Sequence, residues 1–176
     1  MTVDEYLAWV DGRPGQFELY AGVVYAMTPE RVGHARIKYA VQSALDAAIR
    51  QARLPCRMLP DGMLVRIDQD TAHEPDALVY CGERLADAAV EVPNPVIIVE
   101  VLSPSTRHID ASAKLAGYFR VPTVRQYLII DPDKQLLVHH ARGEGDAIAT
   151  RIVKQGNLRL DPPGIELSVE DIFRSD

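Results

Sequence analysis

Glu74-Pro75-Asp76-Ala77-Leu78-Val79-Tyr80 and, further on, Val96-Ile97-Ile98-Val99-Glu100-Val101-Leu102-Ser103-Pro104-Ser105-Thr106 decide how this chain is to be read. Each contains a run of aliphatic, largely β-branched residues of strand character. Each also carries an acid, Asp76 at the opening of the first run and Glu100 inside the second. An unpaired ionised carboxylate in a buried strand is strongly unfavourable, so both acids need compensation. A divalent cation shared between them, held by hard oxygen ligands, supplies it.

Around these strands helices and strands alternate. Thr2-x-x-Glu5 ahead of Tyr6, Leu7, Trp9 and Val10 has the form of a capping box opening a short amphipathic helix, which Gly12 and Pro14 end. Residues 17–27 read as a hairpin turning near Gly22 and closed by Pro29. Over residues 33–53, Ile37, Val41, Ala44, Leu45 and Ala48 recur at helical spacing and predict the longest helix. A strand over 58–67, with a bulge or turn at Pro60-Asp61-Gly62, precedes the strand over 76–80. The segment 96–102 is the most apolar and belongs at the centre of a sheet, because near-continuous aliphatic runs mark burial on both faces. A helix over 110–120, stopped at Val121-Pro122, then leads to strands over 126–130 and 135–140, joined by a turn at 131–134. A strand pair about Gly156-Asn157 and a short helix after Ser168 complete the order. The expectation is an α/β fold, one domain over residues 1–176, with a mixed β-sheet flanked by helices.

Composition narrows the classes. At 176 residues the chain has the length of one domain and can bury roughly two thirds of its unfolded surface without staples. Cys56 and Cys81 lack metal-ligand spacing and are expected as separate buried hydrophobes, with no disulfide, in a reducing compartment. The acidic N-terminus lacks a basic signal-peptide region and no stretch has the apolar length to span a bilayer, so a cytoplasmic protein with no membrane contact is expected. A net charge of -6 counts against a broad phosphate-binding surface, although a cation bound among acids reverses the local sign. There is no Walker loop, dinucleotide fingerprint or Cys/His zinc cluster, so nucleotide triphosphatase, oxidoreductase and zinc-enzyme readings have no support.

Glu18-Leu19-x-x-Gly22 with Met27, His34 opening the long helix, Pro75-Asp76, the Glu100–Thr106 stretch, Lys114 with Tyr118, and Tyr127-Leu128-Ile129-Ile130-Asp131-Pro132 occur in an ordered set. Together they resemble the Uma2 family, bacterial proteins assigned to the PD-(D/E)xK restriction-endonuclease-like fold. The resemblance covers residues 18–131. It implies a restriction-endonuclease-like core and Mg2+- or Mn2+-dependent hydrolysis of DNA phosphodiesters.

The residues themselves agree with that chemistry. Asp76 and Glu100, with the carbonyl of Val101 as a third oxygen, form a set that can hold a hard cation with positions open for water and substrate. The general fold pattern expects a lysine two residues after the second acid, where this chain has Leu102. Lys114 is the candidate replacement, because Asp110, Lys114 and Tyr118 fall on one helical face and can present a lysine from the helix. Glu18, in a hairpin strand, and His34, on the core-facing stripe at the start of the long helix, are further candidates for contact with metal, water or phosphate. Each has a structural competitor: a satisfied buried acid for Glu100, a strand-start role for Asp76 and a solvated pair with Asp110 for Lys114. For His34 the competitor is a core or capping histidine, and for Glu18 a surface strand acid.

Tyr118 reads as packing, and Ser103 and Ser105 as loop and cap residues without a nucleophile elbow. His108, His139 and His140 lack ligand spacing, and the adjacent pair should face opposite sides of a strand. Two alternatives to an endonuclease stand beside it, a nuclease-fold binding module that does not cleave and a metal-dependent hydrolase of a small phosphate ester. Cutting both strands of a duplex calls for two sites and hence a homodimer. Leu7, Trp9 and Val10 of the first helix can serve that twofold contact or cap the core.

Overall fold

A computed structural model describes residues 1–27, 29–103 and 111–174. In chain order, α1 (Val3–Val10) leads to the hairpin β1 (Phe17–Tyr20) and β2 (Val23–Ala26), then to α2 (Val32–Ala52). There follow β3 (Cys56–Pro60), β4 (Val65–Arg66), β5 (Ala72–His73), β6 (Ala77–Cys81) and β7 (Pro95–Val101). The rest is α3 (Ala111–Arg120), β8 (Gln126–Asp131), β9 (Leu136–Arg142), β10 (Ile148–Val153), β11 (Asn157–Leu160), β12 (Ile165–Ser168) and α4 (Val169–Phe173).

Six strands form a mixed sheet in the order β10-β9-β8-β7-β6-β3. The apolar segment expected at its centre is β7, antiparallel to β6 and parallel to β8, with α3 as the crossover of that β-α-β unit. Period-two alternation distributes the side chains between two cores. Ala77, Val79, Ile97, Val99, Val101, Leu128 and Ile130 pack with Val41, Leu45 and Ile49 of α2. Leu78, Tyr80, Ile98, Tyr127 and Ile129 pack with Tyr118 and Val121 on the α3 side. The fold is thus the α/β arrangement expected, a mixed sheet flanked by helices.

A second sheet, β2-β1-β5-β4, carries a third cluster in which Val3 and Tyr6 of α1 meet Leu19, Leu64 and Ala72. Leu7, Trp9 and Val10 are partly buried and pack against it, and so help to cap that core. The capping box that opens α1 is present, with Thr2 and Glu5 bonding each other's backbone N–H groups.

Three expectations are corrected. The strand over 58–67 is two strands in different sheets, because the chain turns at Pro60-Asp61-Gly62, where Gly62 has φ +92°, and β4 leaves to pair with β5. The strands on either side of Gly156 do not pair with each other. β10 pairs back onto β9, while β11 pairs with β12. Finally, Cys56 and Cys81 are not separate thiols. They stand opposite each other in the β3–β6 register and form a disulfide, so they no longer argue for a reducing compartment. Among the described residues no helix is long and apolar enough to cross a membrane.

Candidate active site

Glu100 shares the parity of Ile98 and therefore faces α3. There Lys114 Nζ donates to Glu100 Oε1 at 2.9 Å and the Tyr118 hydroxyl donates to the same oxygen at 2.6 Å. Lys114 and Tyr118 are one helical turn apart, which is why one face delivers both. Asp110 lies outside the described residues, as do Ser105, Thr106 and His108. The second sheet closes the other side: Leu19 turns into the α1 cluster, its neighbour Glu18 turns the opposite way, and Glu18 Oε1 accepts from Lys114 at 2.9 Å. Glu18 also accepts the Glu74 N–H at 3.2 Å.

The charges in this group are buried and paired. Burial by itself favours a neutral Lys114, but the Glu100 and Glu18 carboxylates outweigh it and hold the ammonium protonated well above its usual range. Burial pushes the Glu100 carboxyl up despite the pull of Lys114, and the Glu18 charge adds to the rise. Tyr118 is fully buried and hydrogen-bonded to the acid, so it packs and orients at once.

Asp76 lies just beyond β6, one step past the Ala77–Val99 pair, which places it alongside Glu100. Its Oδ2 accepts the Val101 N–H at 2.6 Å, while the Val101 carbonyl is 2.8 Å from His34 Nε2. A carbonyl only accepts, so Nε2 carries the proton in that bond. His34 Nδ1 is then turned toward Glu30 Oε1, 3.7 Å away, and is buried without a hydrogen bond. One turn along α2, Lys38 Nζ reaches Glu30, Asp61 Oδ2 at 2.8 Å and Asp76 Oδ1 at 3.3 Å. One turn further, Gln42 Nε2 donates to the Asp76 carbonyl at 2.8 Å.

All five side chains singled out in the sequence thus meet at one end of the sheet, Asp76 and His34 through Val101, Glu100 and Glu18 through Lys114. Sequence reasoning missed Lys38, Gln42, Glu30, Asp61, Glu74 and His73. A signal existed for the first two, since His34, Lys38 and Gln42 form a polar row at four-residue spacing beside the apolar Val41–Leu45 stripe of α2. For Asp61 and His73 none existed, because a turn and a two-residue strand bring them in. His73 is fully buried between the rings of Tyr20 and Tyr118, and burial, reinforced by Lys114, drives its pKa down to about 3.

By donor chemistry the set is of the kind that could hold a hard divalent cation. Burial and then the nearby Glu100 charge raise Asp76 to about 6, the response of two carboxylates whose mutual repulsion is incompletely offset. Oxygen donors from Asp76, Glu100 and the second lone pair of the Val101 carbonyl match the chemistry of Mg2+ or Mn2+. Donor atoms of Glu30, His34 and Asp76 also lie within 4.8 Å of one another, with the Lys38 ammonium already bound to both acids there. The remaining histidines among the described residues are tied up structurally. His139 bonds Gln126, whereas His140, on the opposite side of β9, bonds Thr150 and stacks on Tyr127.

Comparison with known proteins agrees with this architecture. The crystal structure of "a putative nuclease belonging to DUF820" from Anabaena variabilis superposes with a TM-score of 0.76 over 98% of this chain and 97% of that one, at 18% identity, and so shares the fold. Two Synechocystis sp. proteins are similar in sequence. One, slr1290, is 25% identical over 99% of this chain and 92% of its own length. The other, sll1609, is 24% identical over 88% and 94%. The family whose sequence profile matches residues 3–171 is Uma2, described as "Putative restriction endonuclease". With that match spanning nearly all of a nuclease-like fold, the chain belongs to the Uma2 family.

Proposed function

We propose that this protein is a Mg2+- or Mn2+-dependent endonuclease that hydrolyses phosphodiester bonds of DNA. Asp76, Glu100 and the Val101 carbonyl would hold the cation. When bound, it polarises the phosphoryl oxygen and lowers the pKa of a coordinated water. The observation that carries the reading is the buried Glu18–Lys114–Glu100 bridge beside Asp76, an acid pair with its own lysine at the end of the central strands.

The chain's residues divide the work. Lys114, kept charged by its two carboxylates, stabilises negative charge developing on the phosphate oxygens, an effect strengthened by the dry surroundings. Tyr118 fixes the Glu100 carboxylate, and Glu18 fixes the lysine from the opposite sheet. The Val101 N–H orients Asp76. His34 holds the Val101 carbonyl and leaves Nδ1, which has no hydrogen bond, as an acceptor for a water proton.

The test is cleavage of supercoiled plasmid and single-stranded circular DNA with added Mg2+ or Mn2+. Metal-dependent nicking is expected, with a loss on the order of 100-fold or more in each of Asp76→Ala, Glu100→Ala and Lys114→Ala. Absence of cleavage with either metal, or cleavage untouched by the three substitutions, rules the assignment out.

A further inference from the structure

A cleft of about 840 Å³ opens beside His34, and one of its walls is the outer face of α2. Val32, Arg36, Tyr39 and Ser43 follow one another at three- and four-residue spacing and so share one helical face. Val32 is 70% exposed and Tyr39 73% exposed, an aliphatic and an aromatic side chain left open on the helix that carries His34 and Lys38. Arg31 and Arg36 line the same cleft, and among the described residues neither guanidinium makes an ion pair or hydrogen bond. The charged residues lining the rest of the cleft are engaged, Asp171 with Arg174 and Asp133 with a partner of its own. In a chain of net charge -6, the wall nearest the acid centre thus offers two uncommitted cations and one open aromatic ring.

We propose that this face of α2 binds an unpaired DNA strand, with Arg31 and Arg36 on its phosphates and a base stacked on Tyr39. The proposal rests on the endonuclease reading for the polarity of the site and names its substrate class, single strands and unpaired segments rather than continuous duplex. An exposed tyrosine ring gains by stacking on a base only if that base is free of its own stack. An arginine at the N-cap of α2 and another within its second turn, both lining the cleft, suit the backbone of one strand, whereas a duplex would meet the acidic remainder of the surface. Tyr39 stands five residues beyond His34, roughly 7–8 Å along the helix at ~1.5 Å per residue, and both line the cleft, so a strand lying in it runs from the stacked base toward the acid centre.

Binding is read without turnover, by fluorescence anisotropy in calcium with a labelled oligothymidylate and a hairpin duplex of equal length. The oligothymidylate is expected to bind about tenfold or more tightly than the duplex. Tyr39→Ala should weaken it by roughly tenfold while Tyr39→Trp retains affinity, as expected of a stacking platform. Arg36→Ala should lower the salt slope of single-strand binding by about 0.7. These residues are exposed, and circular dichroism verifies that each variant is folded. Equal affinity for the two DNAs, no binding of either, or a Tyr39→Ala variant that changes oligomeric state but not DNA affinity overturns the proposal. Loss of plasmid cleavage with single-strand binding intact would instead remove the catalytic reading and leave this surface standing.

Discussion

Asp76 couples the site to pH. Its folded-state pKa is raised to about 6, first by burial and then by Glu100, so without metal its contribution to stability is present below the ordinary carboxylate range and lost as pH rises through about 6. Asp76→Asn is therefore expected to raise the melting temperature of the metal-free protein at pH 8 and leave it nearly unchanged at pH 4. Binding of the proposed metal would require the ionised acid and so would run the other way. At a hundredfold excess over Kd, Mn2+ should stabilise the parent by about 2.7 kcal/mol at pH 8, about 5–10 °C at this chain length, with little effect at pH 5 and none in Asp76→Asn. Scanning calorimetry with and without Mn2+ measures both. Lys114 gives a second prediction at this scale, since Lys114→Met leaves Glu18 and Glu100 buried without their cation. A loss of about 3–5 kcal/mol is expected in denaturant titration, partly recovered in Lys114→Met/Glu18→Gln. A Lys114→Met variant as stable as the parent would show the bridge to be dispensable.

Among the elements, α2 has two tasks on two faces. Inward, Val41, Leu45 and Ile49 cover the sheet, and Leu45→Ala should cost about 2–5 kcal/mol by leaving a cavity in that layer. Its polar row, His34, Lys38 and Gln42, holds Asp76 and Val101 at the end of the sheet, so damage to the inward stripe should lower cleavage as well as stability. The edge strand β3 is fastened differently. The Cys56–Cys81 disulfide ties it to β6, the strand that Asp76 precedes. Closing a loop of 25 residues is worth about 3.5 kcal/mol by restriction of the unfolded chain. Dithiothreitol, or Cys56→Ala/Cys81→Ala, should lower the denaturation midpoint accordingly, and an unchanged midpoint would contradict a formed bond.

For the whole molecule, buried histidines and buried acids oppose one another in pH dependence. Burial drives His73 to about 3 and, together with the Arg151 charge, His139 to about 4. Their stabilising contribution is present above the usual histidine range and lost as pH falls toward those values. Burial, with Asp61 and Glu18 nearby, raises Glu74 to about 7, so its contribution is lost as pH rises, in the same sense as that of Asp76. Melting temperature in a metal chelator should therefore vary little between about pH 4 and 7. His139→Gln is expected to tilt that profile by removing part of the acid-side loss. A parent profile rising steeply across this interval would mean that the acids are already compensated.

Much was legible in the chain because it depends on neighbours in sequence. Alternation and aliphatic runs marked β6, β7 and β8, helical spacing marked α2 and α3, and the acids stood out because ionised groups do not belong in such strands without partners. The order Asp76, Glu100, Lys114 with Leu102 in place of the strand lysine was likewise readable, as were Glu18 and His34. What the sequence left open was every relation fixed by register and packing. The approach of Lys114 to Glu100 depends on the β7-α3-β8 crossover, and the approach of Glu18 depends on a second sheet folding over α3. The chain's turn at Gly62 separated β3 from β4 and brought Asp61 to Lys38, and the β3–β6 register joined two cysteines that sequence spacing had kept apart. Such contacts arise between residues distant along the chain, where local propensity carries no information and burial of the shared cores decides which side chains meet.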